Sequence, residues 1–167
     1  GTAVSDTAAA DPTANLVVLS RLTPNVFLAF DGDAAGQKAL DHAAIVALGL
    51  GMNPKVVPLP EGVDPADFIL AHGADAWKDL LKESKHFIMH QLRYIDKNTL
   101  SPHLLVRALR ERLFPFLARV KSPVEQNLYL ASISTALGIS VTETTREFEQ
   151  FTISPVANVS TKSIEMN

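Results

Sequence analysis

The sharpest change in hydrophobic patterning lies between Val26 and Gly36, where the apolar run Val-Phe-Leu-Ala-Phe stops at Asp31-Gly32-Asp33 and Ala-Ala-Gly follows. An apolar run of this kind, bounded by a turn signal, predicts a fully buried parallel strand. Ala34 to Leu48 then carries Ala35, Ala39, Leu40, Ala43, Val46 and Ala47 on one face, which predicts a helix ended by Gly49 and Gly51. Lys55 to Leu59 reads as the next strand, and Pro58 within it points to a sheet edge. Strand, helix and strand in this order imply a right-handed parallel crossover. Upstream, Leu16 to Leu22 predicts a short helix packing through Leu16, Leu19 and Leu22, and Thr23-Pro24-Asn25 turns the chain into the first strand. Asp6 to Asn15 is small and polar, and reads as a loop or surface insertion.

Beyond the second strand the pattern turns helical. Phe68 to Leu81 predicts one or two short helices broken at His72-Gly73, with Trp77 as a core anchor. His86 to Lys97 sets Phe87, Ile88, Gln91, Leu92 and Ile95 at helical spacing. Ser101-Pro102 opens a helix running to about Val120, with Leu104, Leu105, Ala108, Leu109, Leu113, Phe116 and Leu117 on its buried side and a kink at Pro115. Ser122-Pro123-Val124-Glu125 is a capping box whose helix buries Leu128, Ile133, Ala136 and Leu137 and stops at Gly138. Ser140-Val141-Thr142-Glu143 is a second capping box, opening a helix to about Phe151. Ser154 to Asn167 loses periodicity and reads as a flexible tail. The pattern therefore divides into an α/β part over residues 1–83, an all-α helical part over 84–153, and a tail over 154–167.

Composition changes this picture little. The 167 residues are 47% hydrophobic and 20% charged, ordinary for a globular chain with a real core. A net charge of −3 argues against an independent nucleic-acid-binding domain, because phosphate contacts need clustered Lys and Arg. Arg107, Arg110, Arg112, Arg119 and Lys121 form the one mild basic concentration, and Glu111 between Arg110 and Arg112 favours a solvated helix face. There is no cysteine, hence no disulfide framework and no Cys-based zinc site. No apolar run approaches bilayer-spanning length, and the N-terminus has no signal-peptide features, so the expectation is a cytoplasmic protein with no membrane partner. His86 and His90 stand four apart, but no His-Glu-x-x-His pattern or third ligand accompanies them, so they read as packing or surface residues.

The candidate chemistry sits at the end of the first strand. Ligands in open α/β sheets bind outside the carboxyl ends of parallel strands, and that is where Asp31 and Asp33 fall. Gly32 permits a tight turn between them, so both carboxylates can approach one hard cation such as Mg²⁺ or Mn²⁺. Gly36 lets the following helix pack closely. Asp33 also suits the N-cap of that helix, which explains one aspartate but not the pair. Lys38, one turn into the helix, faces phosphate or is simply solvated. Asp64-Pro65-Ala66-Asp67 likewise has two readings: an N-cap, a first-position proline and a first-turn acid, or a metal role for Asp64.

Phe30-Asp31-Gly32-Asp33-Ala34-Ala35-Gly36 resembles the aspartate motif of the Toprim fold in bacterial replicative DNA primases, and Leu59-Pro60-Glu61-Gly62-Val63-Asp64-Pro65 is similar to the segment that brings their next metal-associated aspartate. Gly1-Thr2-Ala3-Val4-Ser5 is similar to the Gly-Thr-Ala-Leu-Thr after their second Toprim strand, and Leu137 to Val141 resembles the last helix-turn-helix of their helical subdomain. The resemblance implies an α/β partial Toprim fold with parallel strands and flanking helices, followed by a helical bundle. It implies metal-dependent nucleotidyl transfer that makes short RNA primers from ribonucleoside triphosphates on single-stranded DNA. Asp31, Asp33 and Asp64 would hold the metal, with Asp67 carried over only weakly because it is displaced by one position. The replicative helicase would be met through regions not present here. The family's upstream glutamate has no match, so the chain is not expected to make primers alone. Two alternatives stay open: a haloacid-dehalogenase-like phosphatase, against which Ala35 stands where Thr or Val is usual, and a non-catalytic Toprim-derived interaction module.

Overall fold

An Asp before an alanine-rich stretch is a strong helix start, and here it produces the longest regular helix of the α/β part. The computed structural model describes residues 12–60, 62–95 and 101–153, and its contacts divide the chain into two units, Gly1–Phe87 and Ile88–Asn167. The segments 1–11 and 154–167, which hold the Gly1 to Ser5 motif, most of the expected insertion and the expected tail, lie outside the described residues. In the first unit the order is α1 (Pro12–Ser20), β1 (Asn25–Leu28), α2 (Ala34–Gly49), β2 (Asn53–Val56), α3 (Pro65–Lys82) and β3 (Lys85–His86). The sheet order is β1-β2-β3, with β1 parallel to β2 and β3 antiparallel to it.

α2 buries Leu40, Ala43, Ala44, Ala47 and Leu48, a stripe at helical spacing whose small side chains let the helix lie close to the sheet. It packs against α1, whose Leu16 and Leu19 are buried, and against β1 and β2. α1 starts inside the segment expected to be a loop, and Leu22 falls beyond its end, exposed. At the C-terminus of α2 the Gly51 N–H donates to the Leu48 carbonyl and the Met52 N–H to Ala47, both at 2.9 Å, and the chain turns straight into the sheet.

β1 is not fully buried as its apolar run predicts. Leu28 is buried and Val26 half-buried, while Asn25 and Phe27 are exposed. Alternate residues of a strand point to opposite faces, and among the described residues only the face of Val26, Leu28, Pro54 and Val56 is well covered. On the other face Phe27, Lys55 and His86 stand in cross-strand register, with the Lys55 ammonium 5.9 Å from the Phe27 ring centroid. β2 begins two residues earlier than the pattern suggests and stops before Pro58, which has no N–H to extend the ladder. It is paired on both sides rather than lying at the edge.

α3 has no buried residue. Gly73 breaks it with φ 82° and ψ 173°, at the break expected from His72-Gly73. Trp77 is half-buried instead of anchoring a core; it tilts against Phe68 with ring centroids 6.2 Å apart.

The second unit holds α4 (Phe87–Leu92, starting one residue earlier in the first unit), α5 (Pro102–Arg112), α6 (Phe114–Leu117), α7 (Pro123–Leu137) and α8 (Val141–Ile153). Its core is Leu113, Phe114, Leu117, Leu130 and Ile133, with Phe148 edge-on to Phe114 at 5.3 Å and Phe151 at 5.6 Å. Ser122 and Ser140 cap α7 and α8, accepting from Glu125 and Glu143 N–H groups at 3.3 and 3.4 Å. Gly138 ends α7 in a left-handed conformation. Several expectations are corrected here. His86 is a strand residue, and the helix after it ends at Leu92 rather than near Lys97. The helix from Pro102 is not merely kinked by Pro115 but broken at Leu113, because proline cannot donate to the carbonyl four residues back and its ring crowds that carbonyl. Leu104, Leu128 and Ala136 are exposed, and Leu130 and Ser134 occupy the buried side of α7. No described helix is long and apolar enough to cross a membrane.

His86 gives this fold a pH dependence. Burial, and secondarily the Lys55 ammonium opposite, push its pKa down from 6.5 to about 4. The unfolded chain takes up a proton near 6.5 and the folded one only near 4, so this contribution is complete above about pH 6.5 and is lost as pH falls toward 4. Denaturant unfolding from pH 7.5 to 4.5 should show wild type losing on the order of 2 kcal/mol more stability than His86→Gln; equal losses would show that His86 is not the group responsible.

Candidate active site at the carboxyl ends of the parallel strands

After Leu28 the chain passes through half-buried Ala29 and Phe30 and emerges at Asp31-Gly32-Asp33, all exposed. Asp33 is the N-cap of α2, and its Oδ1 accepts the Gly36 N–H at 2.6 Å. One oxygen orients the carboxylate and the other makes no hydrogen bond among the described residues. Asp31 makes no side-chain hydrogen bond or ion pair there either. Its backbone is held by a steric device: a Cβ at Gly36 would overlap the Asp31 carbonyl oxygen and stand 3.0 Å from its carbon and 3.2 Å from its nitrogen. The close approach expected of Gly36 is therefore an approach to the Asp31 backbone. Gly32 is not among the described left-handed glycines, so positive φ is not what the turn takes from it.

The second acidic pair follows β2 as the first follows β1. Asp64 is the N-cap of α3, with Oδ1 accepting from Ala66 N–H at 2.7 Å and Asp67 N–H at 3.3 Å. Pro65 opens the helix, and Asp67 lies in its first turn, where the helix dipole favours a negative charge. Both pairs thus follow the carboxyl ends of adjacent parallel strands, with Asp67 already inside α3. Among the described residues no three acids or histidines converge as a metal-holding group, so the structure does not bring Asp31, Asp33 and Asp64 together as a cluster. Lys38 is exposed and unpaired among those residues.

The other candidate groups are engaged elsewhere. Arg107 donates to Glu111 at 2.7 Å and Arg110 to Glu147 at 2.6 Å, while Arg112 lies over the Tyr94 ring at 5.9 Å. His90 is buried and edge-on to Tyr94 at 5.9 Å. The sequence did not indicate that Gly36 touches Asp31; the Gly at that spacing was the only signal.

A family model described as Toprim-like matches residues 2–69, and a model described as the DnaB-helicase binding domain of primase matches residues 106–142. The DNA primase of Staphylococcus aureus strain COL is 30% identical over 137 residues, 81% of this chain and 23% of that protein. Over these segments the chain is similar to the bacterial DnaG-type DNA primases. The Borreliella burgdorferi DNA primase is 26% identical over 147 residues, 87% of this chain and 28% of that protein, so the chain spans about a quarter of the length of these curated relatives. The zinc-binding and RNA polymerase domains of the Aquifex aeolicus primase superpose with a TM-score of 0.61 at 25% identity, over 77% of this chain and 30% of that one. A DnaG primase catalytic domain bound to single-stranded DNA superposes with a TM-score of 0.63 at 20% identity, over 82% of this chain and 45% of that one, which speaks to the fold alone. The partial Toprim-like fold with a following helical part is thus the primase one. The helicase-binding match falls inside this chain, over residues 106–142, whereas the family resemblance alone places helicase contact outside it.

Asp33→Ala should cost about 1 kcal/mol in urea unfolding through the lost cap, while Asp33→Asn, which can still cap, should stay within about 0.5 kcal/mol of wild type. Gly36→Ala should cost about 1–3 kcal/mol because backbone must move to admit the methyl group. A neutral Gly36→Ala would mean that the Asp31 approach is not a constraint.

Proposed function

We propose that this chain supplies aspartate carboxylates to the polymerase core of a DNA primase, which makes short RNA primers on single-stranded DNA by metal-dependent nucleotidyl transfer. The observation that carries the reading is that the exposed Asp31 carboxylate and one oxygen of Asp33 have no partner among the described residues, at the carboxyl end of a parallel strand in a chain similar to DNA primases. Hard oxygen donors in ones and twos fit Mg²⁺ or Mn²⁺, which keeps several waters and shares substrate phosphates with one or two carboxylates. A bound divalent ion polarises phosphoryl oxygens and offsets the repulsion between the aspartates and a triphosphate. Asp33 is aimed by the Gly36 N–H, Asp31 is set by its backbone contact with the same glycine, and Asp64 is aimed by the first amides of α3. Asp67 has a weaker claim as a further ligand, and Lys38 offers a cation to phosphate. We assign the catalytic part to residues 1–83, the helical part to 84–153 and the tail to 154–167. Single-stranded DNA and ribonucleoside triphosphates are the substrates, a DnaB-type helicase is the protein partner, and the bacterial cytoplasm is the compartment. The phosphatase and non-catalytic alternatives are not favoured, since the relatives named above are primases.

Mn²⁺ titration followed by amide NMR tests the site. Selective broadening around residues 31–36 and 64–67 that disappears in both Asp31→Asn and Asp33→Asn is the expected result, with loss of primer synthesis by the gene product as its counterpart. Broadening that is absent from the folded chain, or unchanged in both variants, would reduce these aspartates to helix caps.

A further inference from the structure

α7 is apolar on two sides. Leu130, Ile133 and Leu137 fill the core, yet Val124 and Leu128 on the other side are 69% and 64% exposed, and Ala131 and Thr135 continue their row at helical spacing. The helix holds a single charged residue, Glu125, in its first turn. Its neighbours show how a solvated face in this unit is built: α5 carries Arg107, Arg110, Glu111 and Arg112, and α8 carries Glu143, Arg146, Glu147 and Glu149.

Two hydroxyls on the outward half of α7, those of Ser132 and Thr135, make few demands on water, while the exposed Asn127 leaves an amide there for a polar contact. Ser132 Oγ donates to the Leu128 carbonyl and Thr135 Oγ1 to the Ala131 carbonyl, each at 2.9 Å. Hydroxyls bonded to their own helix can be desolvated at little cost, because no donor is left unsatisfied. Depletion of charge with exposed aliphatic side chains is the composition of a buried interface core rather than of a wetted surface.

The geometry points to the Val124, Leu128, Ala131 and Thr135 face of α7 as the surface on which a DnaB-type helicase docks. The occupant is chosen because the whole of α7 lies inside residues 106–142, the stretch matching the helicase-binding domain of primase. The inference rests on the helicase partnership proposed above and adds the surface that makes the contact.

The test is a binding titration of the full chain, followed by fluorescence anisotropy, against purified replicative helicase of the same organism. Wild type is compared with the double variant Val124→Glu, Leu128→Lys and with Glu149→Lys, an exposed control on α8. Binding weakened at least about tenfold in the double variant, with Glu149→Lys within about twofold of wild type and the melting temperature little changed, supports the docking face. Wild type and double variant binding equally would overturn the face and leave the helicase partnership standing. No binding by wild type would overturn both. A large drop in the double variant's melting temperature, or sedimentation showing that wild type self-associates and the variant does not, would assign the face to internal packing or to a second copy and overturn the proposal.

Discussion

The contact between the first turn of α2 and the backbone of Asp31 is the constraint on which the α/β unit depends. A strand can deliver two carboxylates to its edge only if the chain then reverses sharply, and the reversal here is set by a glycine with no room for a methyl group. Once Asp33 has capped the helix through that glycine's N–H, the direction of α2 is fixed, and its alanine stripe can settle over Leu28 and Val56. The far end of α2 is closed as tightly by backbone bonds from Gly51 and Met52 into its last turn, so β2 enters the sheet in register with β1. The acidic pairs inherit their placement from this crossover, with Asp33 and Asp64 aimed by backbone amides rather than by side-chain partners.

The helical unit is organised differently. Short helices meet around Phe114 and Leu113, and their lengths are set by local signals: serine caps at Ser122 and Ser140 start helices, and a left-handed Gly138 and the Pro115 break end them. Gln126 adds a tie by donating to the Val120 carbonyl at 2.9 Å, satisfying backbone left open after α6. The Arg110 and Glu147 pair links α5 to α8. Arg107, Arg110 and Arg112 thus each have a partner within this unit.

Features encoded within a few residues were legible in the sequence. Asp33, Asp64, Ser122 and Ser140 as helix starts, Gly138 as a stop and Gly73 as a break all depend on local backbone chemistry, and all stand in the structure. Features decided by what lies across a face were not. Phe27 belongs to an apolar run, but the run could not show that, among the described residues, only one side of its strand is well covered. Leu128 seemed a core residue because aliphatic residues occur all around α7, which erases the periodicity that would have singled out Leu130. His86 has helical spacing with its successors, yet pairing with Lys55 draws it into the sheet. For the site, the acidic motifs and their order along the chain were readable; how near the two pairs stand to each other was not, because that distance depends on packing rather than spacing.

Gly73 leaves a mark on how sequence can drift along α3. No residue of the helix is fully buried, so its exposed positions should accept replacement by residues compatible with a helix, whereas half-buried Phe68 and Trp77 pack on one another. Gly73 itself, at φ 82° and ψ 173°, occupies a region open to glycine almost alone. The usual order of constraint is therefore reversed at this point: the residue with no side chain is the one evolution has least liberty to change, while a large neighbour such as Leu70, at 84% exposure, is the expendable one.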